Sequence, residues 1–222
     1  MKKSHSLLIG LALLLPLWTT GTAAADNSTH PVVVELFTSQ GCNSCPPAEA
    51  YLNELADRPR VIALEYHVDY WDYIGWKDPF ASGEYTKRQK TYAKHMGGRY
   101  VYTPQMVING SVHEVGSARS KVEDQIDAAL AFKRGGRPSL SIDHTGGQLN
   151  VIIDGAEESV GAYEIVMVTF DERHVTKVTR GENRGKELVN AHVVRSMETL
   201  GSWSGGDARL SFALPEAAGD GG

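Results

Sequence analysis

Only two cysteines occur in the 222 residues, and they stand close together as Cys42-Asn43-Ser44-Cys45. The apolar run Val32 to Thr38 before them reads as a strand, and Pro46 and Pro47 after them open a helix. Two residues between the cysteines put the first at the helix N-terminus and the second one turn inside, within disulfide reach. Unpaired N–H groups and the positive dipole end favour a thiolate there, and thiolate is the nucleophile of disulfide exchange. Cys42 is therefore the expected attacking thiol and Cys45 the resolving one. The same spacing also makes half of a zinc site, but the chain has no second cysteine pair and no closely spaced histidine pair to complete it. An inert surface disulfide stays open beside redox chemistry.

Three further places could carry chemistry. Glu35 interrupts Val32-Val33-Val34-Glu35-Leu36-Phe37, which reads as a central parallel strand buried on both faces. A carboxylate there is costly unless paired or protonated. It either exchanges a proton with the Cys45 thiol, its pKa raised by burial, or pairs with a lysine or arginine at a sheet end. His67 and Asp69 end a second strand and begin the aromatic-rich segment to Phe80. They contact substrate, serve structure, or, in a metal-handling reading, His67 joins Cys42 and Cys45 in holding a soft metal such as copper. Thr103-Pro104 precedes a strand; a cis bond there would offer the Thr103 backbone to an extended substrate, and the plain alternative is an ordinary trans proline.

These residues need elements to position them. The pattern predicts strand Val32–Thr38, helix Pro46–Ala56, strand Val61–Val68, a helix from Ser82 to about His95, strands Gln105–Ile108 and Val112–Val115, and a last helix. Asn109-Gly110 signals a hairpin, so the last two strands are expected to be antiparallel. In the last helix Ser117 is the candidate cap, Val122, Ile126, Ala129 and Leu130 the buried face, and Gly135 the stop. Strand, helix, strand, helix, hairpin, helix is thioredoxin order: an α/β fold with a central mixed sheet flanked by helices. In such a fold Thr103-Pro104 lies opposite the redox pair as a substrate platform.

The texture changes at Gly135-Gly136-Arg137-Pro138. Three segments are expected: a signal peptide over 1–25, a thioredoxin-like domain over 26–136, and a β-rich domain over 137–222. The last holds strand candidates Ser139–Asp143, Gln148–Asp154, Ala162–Phe170, Leu188–Met197 and Ala208–Ala213, expected to form a small antiparallel sandwich. Between the third and fourth, Arg180 to Lys186 reads as a hairpin tip that either reaches the redox face or stays solvated.

Lys2 and Lys3, the apolar run Leu7 to Trp18, and Thr22-Ala23-Ala24-Ala25 make a secretory leader with cleavage expected after Ala25. The apolar run is shorter than the roughly 20 residues that span a bilayer, so no membrane insertion is expected after cleavage. The chain carries a net charge of −5 at pH 7, made more negative by loss of the two leader lysines. Nucleic acid is not the expected partner. A mildly acidic exported protein with one cysteine pair fits the periplasm or another oxidising space.

Val34-Glu35-Leu36-Phe37-Thr38-Ser39-Gln40-Gly41-Cys42, Cys45-Pro46-Pro47, His67-Val68-Asp69-Tyr70-Trp71-Asp72, Gly75-Trp76-Lys77-Asp78, Arg88-Gln89 with Tyr92, and Tyr102-Thr103-Pro104-Gln105-Met106 resemble the secreted thioredoxin-like family known as domain of unknown function 1223. Arg180-Gly181-Glu182-Asn183 and His192-Val193-Val194-Arg195 resemble it too. The resemblance spans nearly all of the chain after the leader. It implies export and a thioredoxin-like fold, with Cys42, Cys45 and Thr103-Pro104 in the redox-site positions, but no established reaction. It also implies one more apolar strand after Ala213 than this sequence shows, and hence an open sheet edge.

The function expected from these residues is an exported thiol–disulfide oxidoreductase that needs no cofactor. Its substrates would be cysteine-bearing exported proteins or small disulfides, with a membrane redox partner if it works as a reductase. The rivals are the soft-metal chaperone already described and a non-catalytic binding protein with a static disulfide.

Overall fold

The computed structural model describes residues 30–132, 138–155 and 162–213. The leader and its cleavage position, Gly135 as a helix stop, and the tail after Ala213 lie outside the described residues.

The N-terminal elements form where the pattern places them: β1 (Val32–Thr38), α1 (Pro46–Ala56), β2 (Val61–His67), α2 (Gly83–His95), β3 (Gln105–Ile108), β4 (Val112–Val115) and α3 (Arg119–Ala131). Ser82 caps α2 by accepting the Glu84 N–H at 3.2 Å. Asn109 and Gly110 take φ of 47° and 64°, the left-handed pair that a two-residue hairpin requires, and β3 and β4 pair antiparallel. The last helix starts later than a Ser117 cap would have it: Ala118 holds the cap position and no side chain caps it. The aromatic segment winds Asp69–Ile74 into a short 3-10 helix.

β1 lies inside the sheet, parallel to β2 and antiparallel to β3. Its alternation sorts the core into two halves. Val32, Val34 and Leu36 pack with Leu52 and Leu55 of α1 and Val122 and Ile126 of α3, while Phe37 packs on the other face with Tyr66 of β2 and Tyr85 of α2. Each fully buried aliphatic side chain contributes roughly 1.5–3 kcal/mol to this core.

The C-terminal strands depart from the expected five-stranded sandwich. Only β5 (Ser139–Thr145), β6 (Gln148–Asp154) and β9 (Ala208–Ala213) form a separate antiparallel sheet, in the order β5-β6-β9. The other two candidates are parts of one long hairpin, β7 (Tyr163–Lys177) and β8 (Glu187–Trp203). β8 pairs in parallel with β2 at Glu65 and Val193, completing a six-stranded mixed sheet in the order β4-β3-β1-β2-β8-β7. The physical reason lies at β2, whose outer edge would otherwise leave Leu64 and Tyr66 beside an unpaired strand edge; Val194 of β8 packs with them instead. The far end of the hairpin meets the small sheet, where Trp203 packs on Val151 and Ile153.

Candidate functional site

Cys42 and Cys45 are joined as a disulfide with Cα atoms 5.5 Å apart. Cys45 occupies the cap position of α1, and Pro46 and Pro47, which lack an N–H, open the helix. The Cys45 carbonyl accepts the N–H groups of Ala48 at 2.9 Å and Glu49 at 3.1 Å, so the second cysteine is already part of the first helical turn. Neither cysteine has exposed surface. Ser44 Oγ lies 3.3 Å from Cys42 Sγ.

The Thr103–Pro104 bond is cis. Pro104 reaches the same helix: a Cβ built on Gly116 would lie 2.9 Å from the Ala48 Cβ and 3.3 Å from the Pro104 Cβ. The aromatic segment closes the other side. Trp71 donates its indole N–H to Thr103 Oγ1 at 2.8 Å, and Trp76 donates its own to Gln40 Oε1 at 3.2 Å. A Cβ on Gly41 would meet Trp71 Cβ at 3.2 Å and Ile74 Cδ1 at 3.3 Å, so glycine lets this wall pack directly beside Cys42.

Glu35 sits apart from this group. It shares the α2-facing side of β1 with Phe37, accepts Arg88 Nε at 2.7 Å, and takes a short hydrogen bond from the Tyr92 hydroxyl. Of the two roles open to it from sequence, the structure displays the ion pair. The Arg88 guanidinium also lies over the rings of Tyr66 and Tyr92.

On the α1 side of the sheet lies a buried polar network with Glu49 of α1, Glu65 and His67 of β2, and Asp78. The period-2 alternation puts it there, since Leu36 pairs with Glu65 and Thr38 with His67 on the face that α1 covers. Thr38 Oγ1 donates to Glu49 Oε1 at 2.7 Å. His67 Nδ1 lies 2.7 Å from Asp78 Oδ2, and its Nε2 stands 3.5 Å from Glu65 Oε1, close enough for charge attraction but without a hydrogen bond. Asn190 of β8 donates to Glu65 Oε1 at 2.8 Å, and Asp78 accepts the Gln40 N–H at 2.7 Å.

Burial pushes the Glu49 carboxyl up to about 8, the Glu65 carboxylate adding to the rise while His67 and Thr38 oppose it. Burial works against charge on His67, but Asp78 and then Glu65 outweigh it and lift the imidazole to about 10. Asp78, which burial alone would raise, is held below the usual carboxylate range by His67 and by the amides of Gln40 and Phe80.

Sequence reasoning passed over Glu49, though a signal existed. Glu49 lies four residues after Cys45 and three before Leu52, on the buried face of α1 beside Ala48 and Leu55. Glu65 carried the same signal as Glu35, a carboxylate inside a buried parallel strand. For the metal-handling alternative, no three His, Cys, Asp or Glu side chains converge as a metal-holding group among the described residues, and His67 directs Nδ1 to Asp78.

The tip between β7 and β8 lies on the loop that carries the disulfide. Asn183 is fully buried and donates through Nδ2 to the carbonyls of Gln40 and Cys42, both at 2.9 Å. Glu182 Oε2 accepts the Asn43 N–H at 3.3 Å.

A mixed α/β protein with a disulfide at the head of its first helix is the class that this fold and site define. The family model described as a protein of unknown function, DUF1223, matches residues 33–221, and the chain belongs to that family. It is similar to a protein from Agrobacterium tumefaciens whose crystal structure shares 34% identity and a TM-score of 0.73, covering 83% of this chain and 79% of that one. It is also similar in fold to HBP35 of Porphyromonas gingivalis, at 13% identity and a TM-score of 0.53 over 84% of this chain and 65% of that one. No curated protein matches the chain.

Proposed function

We propose that this protein is an exported thiol–disulfide oxidoreductase on a thioredoxin-like fold, acting through Cys42 and Cys45 on cysteine-bearing exported proteins or small disulfides. The observation that carries this reading is a disulfide at the start of α1 with the buried, protonatable Glu49 one turn further along the same helix. Near neutral pH Glu49 holds a proton. In the oxidising direction a substrate thiolate attacks Cys42 Sγ, the bond to Cys45 breaks with its electron pair on Cys45, and the departing thiolate takes up the proton that Glu49 holds. A second substrate thiolate then attacks the substrate sulfur of the mixed disulfide, and Cys42 leaves as thiolate. The substrate is oxidised to a disulfide and the pair reduced to a dithiol. The reducing direction is the reverse, with Glu49 accepting the proton of Cys45. Thr103-Pro104, beside α1, serves as the platform for the substrate backbone. Proton transfer, one of the two roles the sequence leaves open to Glu35, is assigned to Glu49 in this reading, because Glu35 faces α2 and is paired with Arg88.

A second reading has its own support: the complete burial of both cysteines favours a static disulfide in a binding protein. Equilibrating the mature protein with glutathione separates the two. The oxidoreductase reading expects a potential between about −270 and −120 mV. A bond still closed below about −300 mV overturns it in favour of the static disulfide.

A further inference from the structure

An exchanging disulfide must be touched by a thiolate, yet neither Cys42 nor Cys45 has exposed surface. The segment between β7 and β8 bears on this closure. Its Asn183 is wholly buried on a loop whose neighbours Glu182 and Arg184 are exposed. Two carbonyl oxygens, those of Gln40 and Cys42, each lie 2.9 Å from Asn183 Nδ2. Only the amide nitrogen can donate to both, so the carboxamide has one orientation. Its Oδ1 accepts Lys186 Nζ at 2.8 Å, which fills the remaining side. Glu182 adds the bond to the Asn43 N–H. Gly181, at φ 72°, fits where a Cβ would come within 3.1 Å of the Trp76 Cβ, so the tip also wedges against the aromatic wall. Hydrogen bonds within the turn, from Gly185 N to the Val178 carbonyl and from Lys186 N to the Asn183 carbonyl, hold the tip in shape.

We propose that the β7–β8 tip is a gate over the Cys42–Cys45 bond and that Asn183 is its latch, so that exchange at Cys42 waits on release of this side chain. The biological use of such a gate rests on the oxidoreductase reading; its geometry does not. With the latch engaged, the redox loop is tied to both the tip and the aromatic wall. Released, the loop at Gln40 to Asn43 loses three hydrogen bonds and Cys42 Sγ opens to an incoming thiolate. Asn183 is thus a positioning residue that acts through the loop and does not touch the reacting sulfurs.

The test compares rates of reduction of the full mature protein by excess dithiothreitol, which ends as its cyclic disulfide while Cys42 and Cys45 become thiols. Wild type, N183A, N183D and E182A are followed by alkylation and mass. N183A removes the two hydrogen bonds to the Gln40 and Cys42 carbonyls, together with the one from Lys186, and is expected to react about 10- to 100-fold faster. N183D sets a carboxylate against two carbonyl oxygens and reacts at least as fast as N183A. E182A, altered at an exposed residue, reacts about two- to fivefold faster. A gate speeds both directions, so the equilibrium ratio of oxidised to reduced protein stays within about twofold of wild type. Equal rates in all four proteins overturn the gate, as does acceleration of reduction alone matched by an equal shift in the equilibrium. Should N183A and N183D not fold, E182A decides, and a wild-type rate for it overturns the proposal. Equilibration with glutathione judges the oxidoreductase reading separately, since dithiothreitol reduces the bond in either case.

Discussion

Burial raises the Glu49 carboxyl to about 8, with Glu65 adding to the rise, so the folded protein binds a proton there that the unfolded chain releases near 4.5. The sign follows directly. Stability from this group is complete below about pH 4.5 and is lost as pH rises towards 8. His67, for which Asp78 and Glu65 outweigh burial, acts in the same direction over pH 6.5 to 10. Wild type is therefore expected to lose stability between pH 6 and pH 8, and E49Q to lose about 2 kcal/mol less over that interval. Urea unfolding at the two pH values measures it; parallel losses in both proteins would show that Glu49 does not hold the proton.

Between elements, the Glu35–Arg88 pair ties β1 to α2 across the face opposite the cysteines. Glu35 is buried and Arg88 about one-third exposed, so the guanidinium is the less costly partner to place. Removing it leaves a buried carboxylate with only the Tyr92 hydroxyl. R88M is expected to destabilise by on the order of 3 kcal/mol, and E35Q/R88M to recover most of the loss, because the uncompensated charge is the main cost. Chemical denaturation of the single and double variants checks this, and a double variant as unstable as R88M would locate the cost in lost packing instead. The same alternation of β1 and β2 that sends Glu35 to α2 sends Glu65 and His67 to α1. Two faces of one sheet thus carry two separate buried charge systems.

Across the molecule, the β7–β8 hairpin is the connecting member. Its β8 of 17 residues spans roughly 50 Å at strand rise. One end carries the tip on the disulfide loop; the other carries Trp203 on the small sheet. Between them β8 covers β2, supplies Asn190 to Glu65, and accepts the Tyr85 hydroxyl at the Val194 carbonyl. A chain ending at Ala131 would keep every element from β1 to α3 but expose the β2 edge and uncover Glu65. Its thermal midpoint is expected to fall at least about 10 °C below that of the full chain, with loss of a single cooperative transition. A fragment melting cooperatively at the full-chain temperature would make the first half an independent domain.

Local chemistry determined much of this from sequence alone. The cysteine spacing, the prolines after it, the Ser82 cap and the Asn109-Gly110 turn are short-range signals, and each element from β1 to α3 follows from them and from hydrophobic periodicity. Those signals act within a few residues, where steric and hydrogen-bonding preferences decide. Glu49 was half legible, on the apolar stripe of α1 four residues past Cys45, but its raised pKa depends on Glu65 and His67 arriving from another strand. Only tertiary structure decided that β8 docks on β2 rather than joining a sandwich, and that Asn183 reaches the loop of Cys42. Asn183 is 141 residues from the Cys42 carbonyl it holds. Nothing in the local pattern of β8 specifies its partner, because any apolar strand edge satisfies its hydrogen bonds. The choice is made where side chains on both faces find their complement at once.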